Sequence, residues 1–235
     1  MNLEMIMQEL LVLGKERTKK IYISNGAHEP LFGVATGAMK PIAKKIKINQ
    51  SLAEELYATG NYDAMYFAGI IADPQAMNET DFNRWMDSAY FYMLSDYVVA
   101  VTLAESDIAQ EVADKWIASG EELKMSAGWS CYCWLLGNRS DAEFSESKIA
   151  HMVEMVKNTI HDSPDRAKSA MNNFLYTVGI SYVPLHEKAV EMAKAVGPVE
   201  IKRDKKKSSF LNAYQSIQSE VDRGRLGFKR KYVRC

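Results

Sequence analysis

Apolar residues recur every three to four positions along nearly the whole chain, the period of helices that bury one face. The pattern predicts helices over roughly 2–19, 37–48, 51–57, 61–72, 79–88, 91–104, 106–119, 121–137, 145–161, 164–180, 184–196 and 209–223. Punctuation agrees with it. Thr36 stands where the helix of Ala38, Met39 and Lys40 opens, and Asn78 and Ser163-Pro164 open two others. Asp73-Pro74, Gly120, Gly137-Asn138 and Gly197-Pro198 mark stops. A period of two appears from Val199 to Arg203, ahead of a lysine run able to turn, and predicts a small β-hairpin near 198–209.

The predicted connections are short, so sequence neighbours pack antiparallel. Helix pairs recur every 30 to 40 residues, at 51–72, 79–104, 106–137, 145–180 and 184–223. Stacked pairs of that length build an all-α superhelix, an α-solenoid of HEAT-like repeats. A closed helical bundle is the alternative. On this reading residues 1–197 form the repeat domain. Residues 198–235 form a C-terminal extension, hairpin and final helix, packed on the same domain.

Composition narrows the class. Hydrophobic residues make up 47% and charged residues 25%, as in ordinary soluble proteins. No apolar run reaches the roughly 18 residues of a membrane span, and the first 20 residues do not read as a secretory signal. Cys131, Cys133 and Cys235 show no disulfide framework and read as reduced thiols of a cytoplasmic protein. Cys131 and Cys133 lie two apart in a helical pattern and do not face each other, and His28, His151, His161 and His186 are scattered. We expect no metal and no cofactor.

Charge changes the picture more. The chain sums to −1, yet residues 198–235 hold eleven Lys and Arg against four acids, a net of +7. Residues 51–197 hold 10 bases and 22 acids. A basic end on an acidic body favours a polyanionic partner, because each neutralised phosphate releases counterions. The other reading of such a tail is solubility. Lys40, Lys44 and Lys47, spaced to share a helix face, form a second basic cluster beside Lys45.

Four blocks resemble one family. They are Leu31-Phe-Gly-Val-Ala-Thr-Gly-Ala-Met-Lys-Pro-Ile-Ala-Lys-Lys-Ile-Lys47, Leu56 to Ala68, Trp116-Ile-Ala-Ser119, and Gly224-Arg-Leu-Gly-Phe-Lys-Arg-Lys231. Their order and spacing, over about residues 28 to 231, are similar to the DNA alkylation repair proteins, the AlkD-like branch built from HEAT-like repeats. Active members remove positively charged alkylated bases from DNA. The resemblance implies a cleft with two tryptophans, an aspartate and an arginine around the damaged nucleotide's backbone. The aspartate stabilises the sugar cation of the transition state.

Transferred residue by residue, the first tryptophan's place falls on Tyr92 and the aspartate's on Asp96. The arginine's place falls on Ser126, and the second tryptophan's on Asn173, with Asn172 and Phe174 adjacent. The carboxylate is kept, while the arginine and one aromatic wall are not. The resemblance therefore implies binding of duplex DNA, damaged or branched, without base excision. Hydrolysis of the N-glycosidic bond of alkylated purines through Asp96 is the alternative, and a protein-interaction scaffold a third reading. DNA contacts are expected from Tyr92, Ser126, Asn173, Lys40, Lys44, Lys47, Lys202, Arg203, Lys205, Lys206, Arg223, Arg225, Lys229, Arg230 and Lys231. Tyr90, Phe91, Tyr92 and Tyr97 line a nucleotide cleft or fill core, and Trp129 and Trp134 read as core.

Overall fold

The computed structural model of the chain describes residues 1–204 and 207–232. Its helices are α1 (Leu3–Leu13), α2 (Glu16–Ser24), α3 (Thr36–Ile46), α4 (Gln50–Ala58), α5 (Tyr62–Ile71), α6 (Glu79–Ser88), α7 (Tyr92–Leu94), α8 (Ala100–Ala104), α9 (Ala109–Ile117), α10 (Glu122–Leu136), α11 (Glu146–Thr159), α12 (Asp165–Ser181) and α13 (His186–Val196). Strands β1 (Val199–Asp204) and β2 (Lys207–Leu211) pair antiparallel, and α14 (Ala213–Asp222) follows. The fold is all-α with one small hairpin, as the periodicity predicts. No helix of the described residues is long and apolar enough to cross a membrane.

Asparagine opens many of the helices. Asn2, Asn49, Asn61, Asn78 and Asn212 each accept a backbone amide of the following turn through their side chains. Such a cap contributes about 1 kcal/mol. At Asn78 the bond is reciprocated by Asp81, a complete capping box.

Four local expectations need correction. The helix over 2–19 is two helices broken at Gly14, where the backbone turns extended and a Cβ would lie 2.5 Å from the Phe32 carbonyl oxygen. The helix over 209–223 begins only at Ala213, because residues 207–211 complete the hairpin. α3 starts at Thr36, but Ala35 holds the cap position and no side chain caps it. The stretch 91–104 is not one regular α-helix: a π turn, Ser95–Val99, joins α7 to α8. It brings one extra residue into the turn, a feature frequent at functional sites.

The residues form two compact units, Met1–Ile108 and a second from Ala109 to the end of the described chain. In the first, α5 is central. Tyr62, Ala64, Met65, Phe67, Ala68 and Ile71 are all buried, and the helix packs on α4, α3, α7 and the π turn. Gly69 makes this close approach feasible, since a Cβ there would meet Val98 Cγ1 at 2.7 Å. In the second unit α12 is central and packs on α10, α13, α14 and β1. Val199, Ile201, Ala213 and Ile217 are buried, which joins the hairpin and α14 to this unit. The Lys202 amide donates to Asp165 Oδ2 at the start of α12.

Candidate nucleic-acid interface

Asp96 lies in the π turn and is 8% exposed. The Ser95 hydroxyl donates to its Oδ1 at 2.8 Å. Tyr92, one turn earlier, is half-buried, its ring set edge-on to Phe91 at 5.8 Å and to Tyr97 at 6.3 Å. The four aromatics singled out from sequence divide between the two readings. Phe91 is buried, Tyr90 and Tyr92 are half-buried, and Tyr97 is 43% exposed.

The ring system is larger than the sequence reading held. Tyr22 and Tyr62 meet edge-on at 4.9 Å, Tyr62 lies 5.3 Å from Phe91, and Tyr66 lies 6.2 Å from Tyr62. His28 stacks on Tyr90 at 3.6 Å. These partners come from α2, the loop after it and α5, so no spacing along the chain could bring them together. Tyr22 donates its hydroxyl to the Val34 carbonyl, and burial first, then Asp63 and Tyr66, push its pKa up to about 12.

The loop carrying these contacts is held by Asp63, a fully buried carboxylate that the sequence reading missed. It accepts the amides of Phe32 at 2.5 Å, Gly33 at 2.9 Å and Val34 at 2.7 Å. Burial raises its pKa, and the three amides oppose the rise. The Phe-Gly-Val block that carries part of the family resemblance is thus a backbone cradle for one side chain. Its signal was the pairing of that block with Asn61-Tyr-Asp63, legible only as two unconnected motifs.

The remaining expected positions fall as follows. Lys40 and Lys44 are exposed on α3. Lys47 is exposed but does not share their helical face, because α3 ends at Ile46 and Lys47 takes φ 62° as its cap. In the second unit Ser126 is fully buried, and its hydroxyl donates to the Arg166 carbonyl at 3.3 Å, tying α10 to α12. Asn173 is exposed on α12, while Asn172 is buried with an unpartnered Oδ1. Trp129 is core, 1% exposed. Trp134 is instead half-buried, with the Arg230 guanidinium 4.8 Å over its ring.

The basic tail is partly structural. Lys229 Nζ donates to the Leu136 carbonyl and to Asp141 Oδ1, both at 2.7 Å. A cation there suits the negative end of α10. The Arg230 amide donates to the Gly137 carbonyl, Asn138 donates to the Arg230 carbonyl, and the Gly227 amide donates to the Ile180 carbonyl. Arg223 and Arg225 both pair with Glu220 at 2.8 Å and stay more than half exposed. Lys231 is exposed, with Nζ 5.2 Å over the Tyr232 ring. Lys202 is exposed on β1. Arg203 is described in its backbone only, and Lys205 and Lys206 lie outside the described residues. Among the described residues no group of three or more His, Cys, Asp or Glu side chains could hold a metal ion.

Helix pairs with one small hairpin define a HEAT-like helical repeat protein. The chain belongs to the DNA alkylation repair enzyme family, whose model matches residues 6–213. A solved structure covering all of both chains is similar at 82% identity and a TM-score of 0.98. It represents a new family of proteins related to the HEAT-like repeat DNA glycosylases with affinity for branched DNA structures. Two uncharacterized Listeria proteins are also similar. Lin0241 of Listeria innocua serovar 6a is 29% identical over 92% of this chain and 95% of its own length. Lmo0209 of Listeria monocytogenes serovar 1/2a is 30% identical over 82% of this chain and 85% of its own.

Proposed function

We propose that this chain binds branched DNA and does not excise alkylated bases. The observation that carries the reading is the full-length likeness, at 82% identity, to a protein of a family with affinity for branched DNA. The site supports it. Where the resemblance calls for an arginine to grip a phosphate, the chain has Ser126, whose hydroxyl is spent between two helices. Exposed Lys40, Lys44, Lys202 and Lys231 supply phosphate contacts in this reading, together with the outer arms of Arg223 and Arg225. The free thiols Cys131 and Cys133 go with a cytoplasmic location. The test compares binding to a four-way junction and to linear duplex of the same sequence across a salt series. Preference for the junction supports the reading, and equal affinity for both ends it.

Base excision through Asp96 is the second reading, favoured by the burial of that carboxylate in a π turn. It requires time-dependent release of 3-methyladenine or 7-methylguanine that Asp96→Asn abolishes. Removing one positioned transition-state donor typically costs on the order of 100-fold or more in rate. With Ser126 in the arginine's place and Asn173 in that of one aromatic wall, release is expected at background in both proteins.

A further inference from the structure

Three rings in the first unit form a continuous stack that ends in solvent. His28 lies over Tyr90 at 3.6 Å with planes 23° apart, and Tyr90 lies against Phe91 at 5.0 Å and 21°. Phe91 is buried, Tyr90 is half-buried, and His28 is exposed. Tyr90 covers one face of the imidazole and Nδ1 lies 2.9 Å from the Glu29 carbonyl oxygen, which leaves the other face to solvent. A flat ring held in a stack with an open outer side suits one more flat ring.

The stack is held in place before any ligand arrives. Its outer ring sits on the loop between α2 and α3, which is pinned through Asp63 to the amides of residues 32–34. The Tyr62 amide donates to the Pro30 carbonyl, and the Tyr90 hydroxyl reaches the His28 carbonyl at 3.4 Å. Gly26 turns the loop beside Phe91 with φ +110°, a conformation that suits glycine. Of the carboxylates near the stack, Glu29 pairs with Lys19 at 2.5 Å and accepts the Leu31 amide, while Asp63 is buried and accepts three backbone amides. Both are thus answered by donors of the chain itself.

We infer that the outer face of His28, backed by Tyr90 and Phe91, is a stacking site for an unpaired base at a DNA branch point. The inference rests on the branched-DNA reading and extends it to residues outside the positions that the family resemblance assigns. Stacking on an aromatic side chain tolerates any base, because every base has a π-face, whereas a base inside a continuous duplex has both faces covered. A branch is where a base with a free face is found. The site therefore adds affinity for junctions with unpaired nucleotides over fully paired ones.

The test uses the full chain, a linear duplex and two three-way junctions, one fully paired and one with two unpaired nucleotides at the branch, the first of these being 2-aminopurine. The native protein should bind the second junction more tightly and quench its fluorescence. His28→Ala should lose about tenfold in affinity for the unpaired junction, in line with one base–aromatic stack. It should also lose the quench and keep its affinity for the paired one. His28→Phe should retain both affinity and quench, which excludes loss of folding as the cause. Unchanged affinity and quench in His28→Ala would overturn the stacking site while leaving branched-DNA binding intact. Failure of the native protein to prefer either junction over linear duplex would overturn the underlying reading and the stacking site with it.

Discussion

The amide of Gly33 donates to Asp63 Oδ2 at 2.9 Å, across 30 residues of sequence. Gly33 has φ +79°, and a Cβ there would lie 2.5 Å from the Lys19 amide nitrogen and 2.7 Å from the Lys15 carbonyl oxygen. The Lys15 amide donates in turn to the Gly33 carbonyl. One glycine therefore joins the start of α2 to the N-terminal turn of α5, and the conformation suits no other residue.

From this, Asp63→Asn should cost about 2–3 kcal/mol, because an amide cannot accept from three donors as a carboxylate does and its NH2 group faces N–H groups. Gly33→Ala should destabilise as well, through strain rather than lost charge. Urea unfolding of both variants measures the effect. Stability equal to the native protein in Asp63→Asn would show that water replaces the cradle.

The approach of α5 to the π turn sets a second expectation. A methyl added in Gly69→Ala would meet Val98 Cγ1 at 2.7 Å. Overpacking of this kind costs about 1–3 kcal/mol. Val98 sits two residues from Asp96, so the strain should register at the π turn. The loss of melting temperature and shifted amide resonances of residues 95–99 would report it together.

Tyr22 carries the pH prediction. Its hydroxyl must stay protonated to donate to Val34, and its pKa is pushed up to about 12, above the ordinary tyrosine value near 10. A raised folded pKa means that the folded state holds the proton longer than the unfolded one. The stability it contributes is complete below pH 10 and is lost as pH rises through 12. The native protein should exceed Tyr22→Phe in stability at pH 9, with the gap closing towards pH 12. Denaturant melts at several alkaline pH values test this, and a constant gap would refute it.

The tail's cations should separate by role. Lys229 serves the end of α10 and Asp141, so Lys229→Met should destabilise by about 1–2 kcal/mol. It should also speed hydrogen exchange over residues 224–232 and leave the salt slope of DNA binding unchanged. Lys202 is exposed on β1, and Lys202→Gln should reduce that slope by about 0.9 on duplex DNA without affecting stability. Equal slopes for the two variants would contradict the division.

The helices were legible in the chain because burial of one face writes itself as a period of 3.6, and the start at Asn78 because its cap acts within three residues, whereas no side chain caps the starts read at Thr36 and Ser163-Pro164. The hairpin was legible for the same local reason, from alternation at Val199, Glu200 and Ile201. The family resemblance suggested Tyr92 and Asp96 as site positions. The break at Gly14 was not legible, since Gly14 packs against Phe32, and neither was the π turn, where Val98 comes close to Gly69 of another helix.

Fold class, hairpin and charge separation were therefore determined by the sequence itself, through interactions that act over a few residues or through composition alone. Tertiary structure alone decided that Asp63 holds the Phe32–Val34 cradle, that His28 caps an aromatic stack, that Ser126 is sealed between α10 and α12, and that Lys229 is an anchor. Each of these joins groups about 30 to 90 residues apart. Such pairings are set by how helices pack, and no periodicity along the chain encodes them.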